Sequence, residues 1–202
     1  MCRAEVHPTT VVGVQRGDDA AEDLSGAAAL LDVTRDLADR VWRSEISTAD
    51  RTVLAAELAA LAHRFEPLAE SAPVRTRIGA QLPGRGHPLL PPMVRAAGDG
   101  HVLGTVSFTS AHAGAGTAVH GGYLALLFDE VLGGVAAEAF QSRTASISVN
   151  YRSLTPMDTQ LTVEGWVERV EGRKVHVEGR LLDGDRVCAD AQALFIQVGN
   201  WA

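Results

Sequence analysis

Residues 119–140, VHGGYLALLFDEVLGGVAAEAF, decide the fold. Leu124, Ala125, Leu126, Leu127, Phe128, Val131, Leu132 and Val135 crowd into a run of helical length with scarcely a polar position. A helix apolar on every face belongs inside a fold rather than on its surface. Downstream the period changes from helical to two. Strands are predicted near 144–153, 159–170, 173–182 and 186–198, with tight turns at Glu171-Gly172 and Asp183-Gly184. One long buried helix followed by an antiparallel meander is an α+β design, with the sheet wrapped over the helix.

Upstream, residues 101–109 alternate as one more strand, and Ala111-His112-Ala113-Gly114 opens a flexible loop. Residues 72–98 hold five of the eight prolines and show no sustained periodicity, so they read as a loop containing the boundary between two regions. Before that boundary, Leu24, Leu31, Ala38 and Trp42 recur near helical spacing. A second helix is capped by Ser47 or Thr48 and carries Leu54, Leu58, Leu61 and Phe65, ending near Pro67. Residues 1–19 read as a poorly ordered start. The organisation expected is an N-terminal helical extension over 1–75, a packing or interface element, and one domain over 76–202.

Bulk properties narrow the function. The 202 residues are 46% hydrophobic and carry a net charge of −7, whereas a nucleic-acid partner would call for a basic stripe. The two cysteines, Cys2 and Cys188, make neither a disulfide framework nor a CxxC motif. No charged start followed by an apolar run is present, so a cytoplasmic setting is expected. The Asp129-Glu130 pair interrupts the most apolar stretch and argues against a membrane span. The histidines show no metal-ligand spacing.

Asp129 is the first candidate for chemistry. An unpaired carboxylate in an apolar helix costs several kcal/mol or shifts its pKa, unless it faces a solvent channel or pairs with an arginine. Glu130 points about 100° away around the helix and reads as a solvent or interface residue. His120, Gly121 and Gly122 open the same helix. Glycines there leave the backbone N–H groups bare, at the positive end of the helix dipole, where they can hold an oxyanion. Seven residues separate Gly122 from Asp129. They share a helix face but lie roughly 10 Å apart along the axis, too far for one scissile carbonyl to touch both. A site using both therefore needs two protomers. In the strand that follows, Thr144, Ser146, Ser148, Asn150 and Arg152 alternate against Ala145, Ile147, Val149 and Tyr151. The polar row is either a solvated face or the lining of a substrate groove. Arg173-Lys174 follows a turn, where two cations can bind phosphate or simply be solvated.

Taken in order, His120–Asp129, Gly133, Thr144-Ala145, Asn150-Tyr151-Arg152, Glu171–Lys174 and Ala191–Ile196 resemble the PaaI-type hotdog-fold acyl-CoA thioesterases. The likeness is greatest to the branch with mammalian thioesterase superfamily members 4 and 5, and covers roughly residues 100–198. It implies a hotdog fold and hydrolysis of an acyl-CoA thioester to free acid and CoA. It implies no metal and no cofactor, CoA being part of the substrate. A homodimer or dimer of dimers follows, with the active site at the subunit interface. The resemblance casts Asp129 as general base or nucleophile, Gly121 or Gly122 as oxyanion donors with His120 beside them, and Thr144 as a hydroxyl that places water. Asn150, Arg152, Arg173 and Lys174 become contacts to the CoA part. One departure is Gly114, where many PaaI-type enzymes carry an Asn six residues before the His-Gly-Gly. A non-catalytic acyl-CoA-binding or regulatory protein of the same fold is the alternative. A hydratase is disfavoured because no His follows Asp129 until His176.

Overall fold

The computed structural model describes residues 25–67, 87–114, 116–139 and 141–198. Helices α1 (Ser25–Arg43) and α2 (Thr48–His63) come first, then strands β1 (Val94–Gly98) and β2 (His101–Val106) and a short 3-10 turn (Ser110–His112). Helix α3 (Gly121–Ala139) precedes β3 (Ser142–Tyr151), β4 (Leu161–Glu171), β5 (Lys174–Asp183) and β6 (Arg186–Gln197). The six strands form one sheet in the order β1-β2-β4-β5-β6-β3, antiparallel throughout, with α3 packed on one face. This is the hotdog arrangement.

The meander forms where the sequence places it. Gly172 and Gly184, both at φ 58°, take the left-handed positions of the β4–β5 and β5–β6 turns. Strand β1 is a departure from the expected loop. Its residues Val94, Arg95, Ala96, Ala97 and Gly98 are all exposed, so no alternation marks them. The hairpin to β2 turns on Asp99 and Gly100, at φ 54° and 72°, a pair of left-handed residues that matches the strand twist.

Helix α3 buries one face, not all of them. Leu124, Leu127, Phe128, Val131, Leu132, Val135 and Ala136 are at most 2% exposed. Each fully buried Leu or Phe contributes about 1.5–3 kcal/mol. They meet Val163, Val175, Val177, Leu181, Ala191 and Phe195 from the sheet. The opposite side, with Gly122, Tyr123, Leu126, Asp129 and Glu130, is only partly covered. Two glycines in register, Gly165 on β4 and Gly179 on β5, let the helix approach the sheet. A Cβ on Gly179 would stand 2.9 Å from Leu132 Cδ2 and 2.7 Å from the Glu164 carbonyl oxygen.

The N-terminal helices differ from expectation in their phase. In α1 the buried residue is Asp39, while Ala38 and Trp42 face outward, Trp42 being 66% exposed. Its polar side is held against the domain, as described below. In α2, Ser47 is the N-cap and accepts the Asp50 N–H at 3.2 Å. Nothing in α2 is buried, and Leu54, Leu58 and Leu61 stay 42%, 37% and 44% exposed. The expected disordered start, Leu24, Cys2 and the boundary near residue 75 lie outside the described residues.

Candidate active site

Asp129 sits midway along α3 on its half-buried side. Its Oδ1 accepts the Thr144 hydroxyl from β3 at 2.8 Å. Among the described residues no cation pairs with it, so it is not held as a structural ion pair. A carboxylate ordered by one hydroxyl, with Oδ2 left over, can accept a proton from water or attack a carbonyl.

Thr144 reaches Asp129 because the strand slips. The β3–β6 register breaks between Thr144 and Ser146, so Thr144 pairs with Phe195 and Ser146 with Leu194. Ala145 is the extra residue of a β-bulge, a device that re-aims a side chain. Simple alternation groups Thr144 with Ser146, Ser148, Asn150 and Arg152, but the bulge removes Thr144 from that row. Thr144 instead shares the face of Ile147, Val149 and Tyr151, which looks toward α3, while Ser146, Ser148 and Asn150 look the other way.

At the other end of β3, Tyr151 meets the start of the same helix. Its hydroxyl donates to the Gly121 carbonyl at 3.0 Å. The ring lies so close that a Cβ on Gly121 would stand 3.0 Å from Tyr151 Cζ. Tyr151 was not among the candidates, because on an alternating strand it reads as one more apolar-face residue. The two glycines are not equivalent. The Gly122 N–H donates to His120 Nδ1 at 3.0 Å, so His120 acts as a side-chain cap. Among the described residues no acceptor takes the Gly121 N–H. Gly121 thus presents the free amide at the positive end of α3. Behind it, the His120 N–H donates to the His112 carbonyl at 2.9 Å. Gly114 packs against this turn so tightly that a Cβ there would lie 2.9 Å from His120 Cα, which explains why no side chain stands at that position.

The residues expected to contact CoA fall into two groups. Asn150 Nδ2 donates to Asp190 Oδ1 at 2.7 Å, and the Arg152 guanidinium forms an ion pair with the same carboxylate. The Arg152 hydrogen bonds hold the Asp190 carboxyl below its usual value, outweighing burial, with Asn150 adding to the effect. The Arg173 guanidinium donates to the Gln197 carbonyl at 2.8 Å, and exposed Lys174 adjoins it. Asp190 and Gln197 are seven residues apart on β6, so the groups are about 23 Å apart in one protomer. Asp190 itself escaped sequence reading, since only the β3–β6 register brings it beside Asn150. Among the described residues, no group of three His, Cys, Asp or Glu side chains could hold a metal ion, and no helix is long and apolar enough to cross a membrane.

Known proteins share this architecture. A family model for the thioesterase superfamily matches residues 116–189. A crystal structure of a thioesterase superfamily protein is 31% identical, with 85% of this chain and 90% of that one covered and a TM-score of 0.71. An acyl-coenzyme A thioesterase from Mus musculus, THEM4, is 29% identical over 82 residues, 40% of this chain and 36% of that protein. The chain thus spans little more than a third of that curated relative. A hypothetical thioesterase from Streptococcus pneumoniae, solved with coenzyme A, is 22% identical, with 55% and 88% of the chains covered and a TM-score of 0.51, a likeness of fold alone. Common fold, matched segment and an extended relative above 30% identity together place this chain in the thioesterase superfamily.

Proposed function

We propose that this protein hydrolyses acyl-CoA thioesters as a dimer, with Asp129 as general base or nucleophile and the Gly121 amide of the partner subunit as oxyanion donor. The observation that carries the reading is the Thr144–Asp129 hydrogen bond together with the uncapped Gly121 N–H at the start of the same helix. A thioester carbonyl is already electrophilic, so an ordered carboxylate and a preorganised amide suffice, with no cofactor beyond the CoA of the substrate.

Geometry supports two chains. Gly121 and Asp129 are eight residues apart on α3, about 12 Å along its axis, so one carbonyl cannot reach both in one protomer. Strand β3 is an edge of the sheet, mostly exposed, with a free ladder side. Antiparallel pairing of two such edges about a two-fold at Ser148, with Ala145 as the unpaired extra residue, sets Thr144 opposite Tyr151 of the partner subunit on the face toward α3. Asp129 is tied to the first of these residues and Gly121 to the second. The same pairing brings Arg173 and Lys174 of one protomer to the end where Asn150 and Arg152 of the other lie. The two cationic groups then serve one CoA, on a sheet now continuous across the dimer. The half-exposed face of α3 gains its cover the same way. Two similar proteins agree with the ligand class, the acyl-coenzyme A thioesterase of Mus musculus and the Streptococcus pneumoniae protein solved with coenzyme A.

The test is a panel of acyl-CoA chain lengths with thiol release as the readout, for wild type, Asp129→Asn and Thr144→Ala. Asp129→Asn is expected to lower kcat by about 10²–10⁴-fold. Thr144→Ala, losing one hydrogen bond to a charged group, is expected to cost about 1.5–3 kcal/mol of that activity. Equal turnover by wild type and Asp129→Asn removes the carboxylate from catalysis. Acyl-CoA binding without thiol release, for every chain length, makes the protein a non-catalytic acyl-CoA binder instead.

A further inference from the structure

The N-terminal helix α1 touches the domain at one polar point. Asp39, 9% exposed, accepts the Ser110 hydroxyl at 2.7 Å and the Ala111 N–H at 3.0 Å on a single oxygen. Its other oxygen pairs with Arg43 Nη2 at 2.8 Å. Burial pushes this carboxyl up, yet the bonds from Ser110, Ala111 and Thr109 and the charge of Arg43 leave it below the ordinary value, so it stays ionised.

What Asp39 grips is the 3-10 turn that precedes the catalytic helix. His112, the last residue of that turn, is buried, and its Nδ1 accepts the Thr109 N–H at 3.1 Å. The ring stands edge-on to Phe108 and to Tyr123, the latter at 4.8 Å between centroids. Burial holds its pKa down, which keeps the imidazole neutral and able to accept. The His112 carbonyl in turn receives the His120 N–H, and His120 caps Gly122. The path from Asp39 to the free amide of Gly121 therefore alternates two hydrogen bonds, Ala111 to Asp39 and His120 to His112, with the peptide links Ala111–His112 and His120–Gly121.

We propose that Asp39 is a positioning residue for the oxyanion amide, so that α1 is a working part of the active site rather than a decoration beside it. The proposal rests on the thioesterase reading above. An amide displaced by a fraction of an ångström loses its aim at a developing oxyanion while ground-state binding of the CoA part is untouched. The signature is a fall in kcat at constant KM.

The experiment compares wild type, Asp39→Ala, Asp39→Asn, Ser110→Ala and the exposed control Arg40→Ala in acyl-CoA hydrolysis, with amide hydrogen exchange over residues 110–123. Asp39→Ala is expected to lower kcat about tenfold or more with KM nearly unchanged and to speed exchange across 110–123. Asp39→Asn keeps a carbonyl acceptor for Ser110 and Ala111 and is expected to recover most of the loss. Arg40→Ala is expected to match wild type. Unchanged kcat, or unchanged exchange over 110–123, in Asp39→Ala overturns the proposal. So does a parallel loss of kcat, KM and melting temperature that Asp39→Asn fails to repair. Should Asp39→Ala not fold, Ser110→Ala decides by the same two readouts. A wild type inactive on every thioester refutes the thioesterase reading instead, and the exchange data then judge Asp39 alone.

Discussion

If Asp129 and the Gly121 amide that serves it come from different protomers, two dead chains can make a living enzyme. The pair to combine is Asp129→Asn and Gly121→Val. The first removes the carboxylate that accepts the Thr144 hydroxyl at 2.8 Å. The second places a branched side chain where even a Cβ would lie 3.0 Å from the Tyr151 ring, pushing the helix start out of line. Loss of an oxyanion donor costs about 10²–10³ in kcat, so each variant alone keeps under about 1% of wild-type activity. In a mixed dimer one site inherits both defects and the other neither. Random assortment makes half the dimers mixed, each with one of two sites intact, so recovery is about 25% of wild type. Mixed dimers purified through two different tags are expected to reach about 50%. Co-expression, tandem affinity purification and a thiol-release assay measure both figures. If each site lay within one protomer, every chain would carry a broken site. Mixed dimers of proven composition at the 1% level refute the two-chain site.

Two further outcomes follow from the packing and the charges. Gly179→Ala puts a methyl 2.7 Å from the Glu164 carbonyl and 2.9 Å from Leu132, and is expected to cost about 1–3 kcal/mol of stability, read from the denaturant midpoint at unchanged m. Asp190→Asn is expected to lower the melting temperature at neutral pH. Arg152 depresses the folded-state pKa of Asp190, so the ionised carboxylate stabilises above the ordinary aspartate value of about 3.9 and that contribution is lost as pH falls below it. The gap between variant and wild type should close in that acid window, and a gap that persists there assigns the effect to packing instead.

The central helix and the meander were legible because their signals are local. An apolar run of helical length, a switch to period two and glycines in tight turns each depend only on near neighbours. Asp129 was legible for the same reason, as a carboxylate among apolar residues. The phase of α1 was not, since its inward residue is Asp39, whose partners Ser110 and Ala111 lie some seventy residues away. Strand β1 was hidden because an edge strand exposed on both faces has no alternation to show. The difference between Gly121 and Gly122 depends on the His120 rotamer, which no spacing encodes. Asn150 and Arg152 were marked for CoA, and the carboxylate they share within the protomer emerged only from strand register.

The extra residue at Ala145 has a consequence for how such a site could be lost. The strand works as a frame: upstream of the slip it is read on one face, downstream on the other. Deleting Ala145 would mend the ladder and leave Thr144 two residues before Ile147, still facing Asp129, whereas closing the slip with Ala145 kept would turn Thr144 outward and set the Ala145 methyl opposite Phe195 in its place. Asp129 would then lose the hydroxyl that orders it, within a sheet more regular than before. A shift of one reading position, with no side chain altered, would leave the carboxylate in place but unheld.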